Sequence, residues 1–530
     1  MDDKNIFNVC KQAGCCDSCS LRYLGLKSST VYEDVKKSAQ RYKEEKTAVL
    51  ENEQPPDDAN KVTTADSDSA PPAKKIKLSV CVICLGILQE ETWDDSFSMV
   101  KEVLERKKYT SNTFACALSS PIATILRERA MALRLENEIP NYDSNIVTPL
   151  KEAWKWSFGT KLAPVIEKKL DSGAISPLLI TFNYDYLDDL QELEILKKIA
   201  APLFESRRQQ HRRFATEFTR RVVEQALENV TVEALKAASE SCCMASVDTA
   251  VKCVSVVCTH SPLYLGGRYI KLSRDLPQTP WILSGRRVMP SSVQEIIFQP
   301  IADLYGMSEA EAERRLKLIA AGREDVDVRC LGQGRPFAIE ITDPQRQLTT
   351  EELEKACKLI ASGGDVIVKK LVPIVKDDLI LLKKGEETKT KTYEAICIKL
   401  THSEFDQIDP VTPVTVTDVD IERINTYRNT AEGDEARIEI SQATPIRVLH
   451  RRPLLTRTRH IIEVHASKVP GYPQLLLLRV RTSAGTYVKE WVHGELGRTR
   501  PALAHVLGAR ADLLALDVTA VHLAWPPEHE

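Results

Sequence analysis

Two C-x-x-C spacings stand out among the 14 cysteines of this 530-residue chain: Cys16 with Cys19, and Cys81 with Cys84. Tetrahedral zinc takes four soft ligands, and a C-x-x-C turn presents two thiolates to one ion, so two such turns close one site. The long spacer between them is no obstacle, because loop-closure cost grows only with the logarithm of length. One structural zinc on these four residues is expected. Cys15 or Cys10 can stand in for Cys16, and the plain alternative is a group of buried thiols.

A second candidate is acidic. In Gly322-Arg323-Glu324-Asp325-Val326-Asp327-Val328-Arg329 the second half alternates. If it is extended, Val326 and Val328 point into a core while Asp325, Asp327 and Arg329 share the opposite face. On residue chemistry alone this reads first as a salt-bridged strand edge and second as a catalytic carboxylate. His493-Gly494-Glu495 matches the H-x-E half of the zinc deaminase signature, but no P-C-x-x-C follows it, so that chemistry is excluded. There is no G-x-x-x-x-G-K-[ST] and no G-x-G-x-x-G to cradle phosphates.

The third candidate is a basic surface hidden by a total charge of −3. Ser441 to Arg510 holds 12 Lys or Arg against 3 acidic residues, a difference of +9. Arg447, Arg451, Arg452, Arg457 and Arg459 crowd one Pro-containing run, TPIRVLHRRPLLTRTRH, the pattern of an exposed loop that meets nucleic-acid phosphate.

The length suggests three or four structural units at about 150 residues each. Ordinary hydrophobic (43%) and charged (28%) fractions exclude a fibrous or wholly disordered chain. The start MDDKNIF has no apolar signal core, and no apolar run is long enough to span a bilayer. A soluble intracellular protein with reduced thiols is expected. Residues 43–77 are acidic, Pro-rich and free of aromatics, and read as a disordered insertion ending in the import-like cluster Lys74, Lys75 and Lys77.

Residues 92–240 read as mainly helical, with Phe214, Phe218 and Val222 on the apolar side of one basic helix. After Leu276-Pro277-Gln278-Thr279-Pro280 the texture changes to short β-branched runs, so a second large domain is expected from near residue 280. Its strand candidates are Phe337 to Ile341, Val366 to Lys369, Ala395 to Leu400, Arg459 to Val464, Leu475 to Thr482 and Asp517 to Leu523. Helices are expected at Ser308 to Ile319 and Glu351 to Ser362. The class is α+β with mixed or antiparallel sheets.

The motifs GREDVDVR with LGQGRPFAIEI, KTKTYEAI, TPIRVLHRRPL, AGTYVKEWVHGELGRTRP and DLLALDV, in this order, resemble pseudouridine synthases. Within them the chain is similar to the archaeal and eukaryotic transfer-RNA family called pseudouridylate synthase ten. GCCDSC and CVICLGILQ resemble that family's zinc-bearing accessory region, which contains a THUMP-type RNA-binding module. The resemblance implies a zinc-stapled accessory domain over 1–42 and 78–278, and a catalytic domain over 279–530 with a mixed, largely antiparallel sheet.

It also implies an isomerisation without cofactor. The N-glycosidic bond of a uridine is broken, the uracil turns while bound, and carbon is joined to carbon on the same ribose. Asp325 resembles the family's catalytic nucleophile, with Asp327 the nearby alternative. Lys489 of TYVKE is the implied cation beside it, with Arg323 the other candidate partner. Tyr393 resembles the stacking tyrosine, and Tyr487, Val488 and Leu516 the pocket lining. Gly285 to Phe298, with Arg286 and Arg287, and Arg447 to Ile461 resemble two loops that grip RNA.

The implied substrate is transfer RNA, at T-loop uridines fifty-four and fifty-five. Primary microRNA and its processing factors are further implied partners, and an RNA-binding adaptor is the alternative function. A monomer in nucleus and cytoplasm is expected, with room for a mitochondrial pool.

Overall fold

In the computed structural model the described residues are 3–43, 79–171, 173, 175–209, 216–239, 244–405, 409, 411–430 and 436–528. All of the expected insertion but residue 43, with its lysine cluster, lies outside them. The chain divides into two units, Met1–His260 and Ser261–Glu530.

The first unit carries a sheet of β1 (Thr113–Ser119), β2 (Lys169–Leu170), β3 (Leu178–Asp185) and β4 (Lys252–His260), in the order β2-β1-β3-β4. Strand β3 reads LLITFNYD, so alternate residues face one way, and Leu178, Ile180, Phe182 and Tyr184 are buried. Phe182 meets Trp154 and Phe158 of the helix Leu150–Val165 edge-on, at 5.6 and 4.8 Å between ring centroids.

The single basic helix expected through Phe214, Phe218 and Val222 is corrected. Phe214 lies outside the described residues, and Phe218 precedes a helix that begins only at Arg220. Thr219 stops any earlier start: its extended backbone and its hydroxyl, which accepts from Val222 N–H at 3.4 Å, make it an N-cap. Phe218 stays buried against Phe204, with ring centroids 5.4 Å apart.

The second unit holds β5 (Leu263–Lys271), the hairpin β6 (Ile282–Leu283) and β7 (Arg286–Arg287), β8 (Leu316–Ala320), β9 (Arg329–Ile341), β10 (Val366–Ile374) and β11 (Thr390–Lys399). It continues with β12 (Ile438–Ala443), β13 (Thr456–Val469), β14 (Tyr472–Thr482), β15 (Thr499–Arg500) and β16 (Ala511–His522). Apart from the hairpin these form one sheet, β10-β5-β9-β16-β11-β14-β13-β12-β15, with β8 on β9. Only the β16/β9 pairing is parallel among its described pairs. The sheet is thus mixed and mainly antiparallel, in an α+β fold.

Three expectations move. The unit begins before the Pro-rich segment, because β5 pairs with both β9 and β10; the segment is a loop inside the unit. The helix expected over 308–319 stops at Arg315, and Leu316–Ala320 pairs with β9 instead. The stretch 285–298 is only partly loop, since a helix runs from Val293 to Leu304.

FAIEI in β9 is buried along nearly its whole length because both faces of the sheet are covered there. Phe337 and Ile339 pack with the helices Val293–Leu304 and Thr350–Ser362, and Ala338 packs with Leu379, Leu382 and Trp525. Among the described residues no helix is long and apolar enough to cross a membrane.

Candidate active site

Asp325 sits in the loop between β8 and β9. The extended alternation expected for DVDVR is absent: the chain turns at Val326-Asp327, with Val328 N–H donating to Asp325 C=O at 3.2 Å. Arg329 therefore leaves the two carboxylates and pairs with Asp517, its Nε 3.0 Å from Oδ1. Burial pushes the Asp517 carboxyl up, but the bond from Arg329 and the charge of Arg274 hold it below its ordinary range.

The turn is anchored on both sides of Asp325. Glu324 points inward, its side chain fully buried, and meets Arg335 Nε at 2.7 Å and the hydroxyl of Tyr269 at 2.8 Å. Beneath, the buried Lys271 of β5 donates to the carbonyls of Leu276, Val326 and Asp325 at 2.6, 2.7 and 3.2 Å. Breaking a buried ion pair leaves an uncompensated charge. Glu324→Gln is therefore expected to cost about 3–5 kcal/mol in urea unfolding. A loss below about 1 kcal/mol would mean that Arg335 does not depend on this partner.

Asp325 itself is one-third exposed, at the mouth of a pocket of about 470 Å³. Arg447 Nη1 donates to its Oδ2 at 2.8 Å, while Arg447 Nε is held by the buried Glu490 at 2.6 Å. Lys489 Nζ lies 3.5 Å from the same Oδ2 but closer to Asp327, at 2.8 and 2.9 Å from its two oxygens. Burial raises the Asp327 carboxyl, yet the hydrogen bond and charge of Lys489 bring it below its ordinary value. Lys489 and Glu490 are neighbours on the helix Val488–His493, so one helical turn delivers both the lysine and the carboxylate that aims Arg447.

Tyr393 on β11 is buried in the pocket wall, its hydroxyl pushed up to about 12 by burial. Tyr487, Val488 and Leu516 line the same pocket. Gln442 fixes Tyr487 twice, accepting its backbone N–H at 2.9 Å and donating to its carbonyl at 3.0 Å.

Arg323 lines the pocket but forms no ion pair with Asp325 among the described residues. Arg447, expected among the RNA contacts, is the nearest cation to Asp325 among the described residues.

The other predicted RNA contacts scatter. Arg451 and Arg452 border the pocket, exposed, whereas Arg457 and Arg459 lie on β13, with Arg459 half-buried against Gly485. Arg286 and Arg287 sit on the exposed β6/β7 hairpin, where Arg287 pairs with Glu295 at 2.5 Å. Lys271, Glu324, Arg335 and Glu490 were not predicted. A charged residue inside an apolar strand, such as Lys271 in YIKL, is no more than a hint of a buried partner.

In the first unit the Sγ atoms of Cys16, Cys19, Cys81 and Cys84 all lie within 4.8 Å of one another, so the register uses Cys16; Cys10 and Cys15 are buried outside this group. Cys16 caps the helix Asp17–Tyr23, which puts Cys19 on its first turn. Cys16 and Cys84 Sγ are 3.8 Å apart. Zn–S bonds of about 2.3 Å in a tetrahedron require sulfur separations of about 3.8 Å. The cluster fits a metal ion, and four thiolates favour zinc.

A carboxylate between two cations, over a pocket walled by a tyrosine on a mixed sheet, matches what the motifs implied for pseudouridine synthases, a class of isomerase. A family profile described as "Pus10, C-terminal" matches residues 264–522, and one described as "Eukaryotic Pus10, N-terminal" matches 81–258. The tRNA pseudouridine synthase Pus10 of Xenopus laevis is 30% identical over 99% of this chain and 98% of its own. That of Homo sapiens is 32% identical over 86% and 80%. A Cbf5-Nop10-Gar1 complex aligns over 48% of each chain at 17% identity and a TM-score of 0.24, too distant to carry an argument. The chain belongs to the Pus10 family of tRNA pseudouridine synthases.

Proposed function

We propose that this chain converts T-loop uridines of transfer RNA, at position fifty-four, fifty-five or both, to pseudouridine, with Asp325 as the nucleophile. The observation that carries the reading is the Asp325 carboxylate at the pocket mouth, 2.8 Å from Arg447 and 3.5 Å from Lys489, with Tyr393 in the wall behind. A uridine must leave its stack to enter, and an aromatic plane is what receives a flipped base. The ionised carboxylate then acts at the ribose C1′ carbon, and the two cations keep it charged and aimed. The first unit, stapled by one zinc on the four cysteines, serves as the accessory RNA-docking domain.

The reaction removes the hydrogen from C5 of uracil, so a transcript carrying tritium at that carbon releases label to water as product forms. Release from transfer RNA supports the reading; binding without release contradicts it. Arg451 and Arg452, exposed at the edge of the pocket, are the residues proposed to meet the backbone that delivers the base. Each cation withdrawn from a phosphate lowers the slope of log affinity against log salt by about 0.7–0.9. Joint Arg451→Glu and Arg452→Glu replacement should weaken RNA binding and flatten that slope by roughly 1.5 or more. An unchanged slope would put the footprint elsewhere.

A further inference from the structure

Lys391 is a charged residue of the pocket to which this reaction has so far given no task. It stands two positions before Tyr393 on β11, so the pleat sends both side chains to one face, and both line the pocket. Among the described residues the buried lysines of this unit are all engaged, whereas Lys391 is half-buried. Lys271 holds three carbonyls, Lys389 donates to Leu382 C=O at 2.7 Å, and Lys399 pairs with Asp420 at 2.7 Å. Lys391 forms no ion pair among the described residues. Its Nζ lies beside Gly322, 2.9 Å from where a Cβ would stand, with Arg335 Nη1 3.0 Å from the same point. Gly322 has φ +90°, so a side chain there would be strained and would also displace both cations. The glycine keeps the lysine's path into the pocket open.

We propose that Lys391 is a catalytic residue whose ammonium donates a hydrogen bond to a carbonyl oxygen of the target uracil and stabilises the ring while it is detached. This rests on the reading of the pocket as a uridine isomerase. When the N1–C1′ bond breaks, its electron pair stays on the ring and spreads over N1, O2 and O4. After the ring turns, C5 bonds to C1′ as the bond from C1′ to Asp325 breaks and frees the carboxylate, the C5 hydrogen leaves as a proton and N1 takes one up. The product is an isomer, with nothing oxidised or reduced. A cation at a carbonyl edge matters most while the ring carries that charge, because a donor already held in place needs no reorganisation at that moment.

The surroundings support this. Around Lys391 are Arg335 and Cys330 from β9, Glu324 from the loop, Lys389 just before β11 and Tyr393 on it; Arg323 and Asp325 of the loop and Leu516 and Val518 of β16 line the same pocket. Burial, then the charge of Arg335, pushes the ammonium down to about 8. Cys330 and Tyr393 are pushed up to about 11 and about 12, so neither loses its proton in that range.

The test is single-turnover conversion of an unmodified transfer-RNA transcript by the full chain across about pH 6.5 to 9.5, for wild type, Lys391→Met and Lys391→Arg. Lys391→Met should slow conversion by roughly 10²-fold with RNA affinity unchanged. The wild-type rate should fall as pH rises through about 8 and the ammonium loses its proton. Lys391→Arg, always charged, should carry activity to higher pH and keep more of it than methionine does. A purely structural lysine would leave the alkaline limb where it is. Wild-type rates in Lys391→Met, or an alkaline limb unmoved in Lys391→Arg, would overturn the proposal. If Lys391→Met fails to fold, as thermal melting would reveal, the arginine limb decides alone. Wild type that binds but converts nothing at any pH would overturn the isomerase reading itself, and the proposal with it.

Discussion

Asp325→Asn is expected to abolish conversion, with single-turnover rates falling by about 10⁴-fold or more while RNA affinity stays within a few-fold. The substitution keeps the size of the side chain and one acceptor for Arg447, so the pocket persists. What it removes is the charge proposed to attack C1′. RNA binding draws on phosphate contacts spread over the surface, and Asp325, one-third exposed and turned toward the pocket, is not one of them. Asp327→Asn provides the contrast. Asp327 holds Lys489 at 2.8 Å but stands farther out and more exposed, so its loss should cost only about tenfold, through a less constrained lysine. Equal losses in the two variants would mean that the carboxylates act as a pair.

The second large effect concerns the four cysteines. The purified chain should contain one zinc, and joint Cys81→Ser and Cys84→Ser replacement should remove it. Metal affinity held in such a site is folding free energy. The lowest thermal transition should therefore fall by more than ~10 °C. Thiols must lose their protons to bind, so acid releases the metal: zinc content of the unsubstituted chain should decline as pH falls. A full zinc count in the double variant would remove these residues from the site.

Residue chemistry and spacing carried much of this in advance. The two C-x-x-C pairs sit where their spacing placed them, because a metal site needs only ligand type and a local turn. The strands expected at Phe337, Val366, Ala395, Arg459, Leu475 and Asp517 all form, because β-branched and alternating runs bounded by Gly, Pro and Asp are local signals. What failed depended on partners far away in the chain. Residues 316–319 continue a helical pattern, yet β9 recruits them as a strand. Val326 and Val328 alternate like a strand, yet Lys271 gathers the carbonyls of that stretch into a turn. Arg447 looked like one more arginine in a basic loop. Only Glu490, 43 residues later, turns it toward Asp325. Lys391 shares its motif with Tyr393, and nothing in KTYEA alone says that a pocket lies on the face the two share.

Isomerisation of a T-loop uridine through Asp325 is tested most directly by site-resolved pseudouridine mapping of an unmodified transfer-RNA transcript after incubation with wild type and, in parallel, with Asp325→Ala. Conversion at T-loop positions by wild type alone is the predicted result. Conversion by both proteins would contradict the assignment of the nucleophile, and conversion by neither, with tight binding retained, would contradict the enzyme and leave an RNA-binding adaptor.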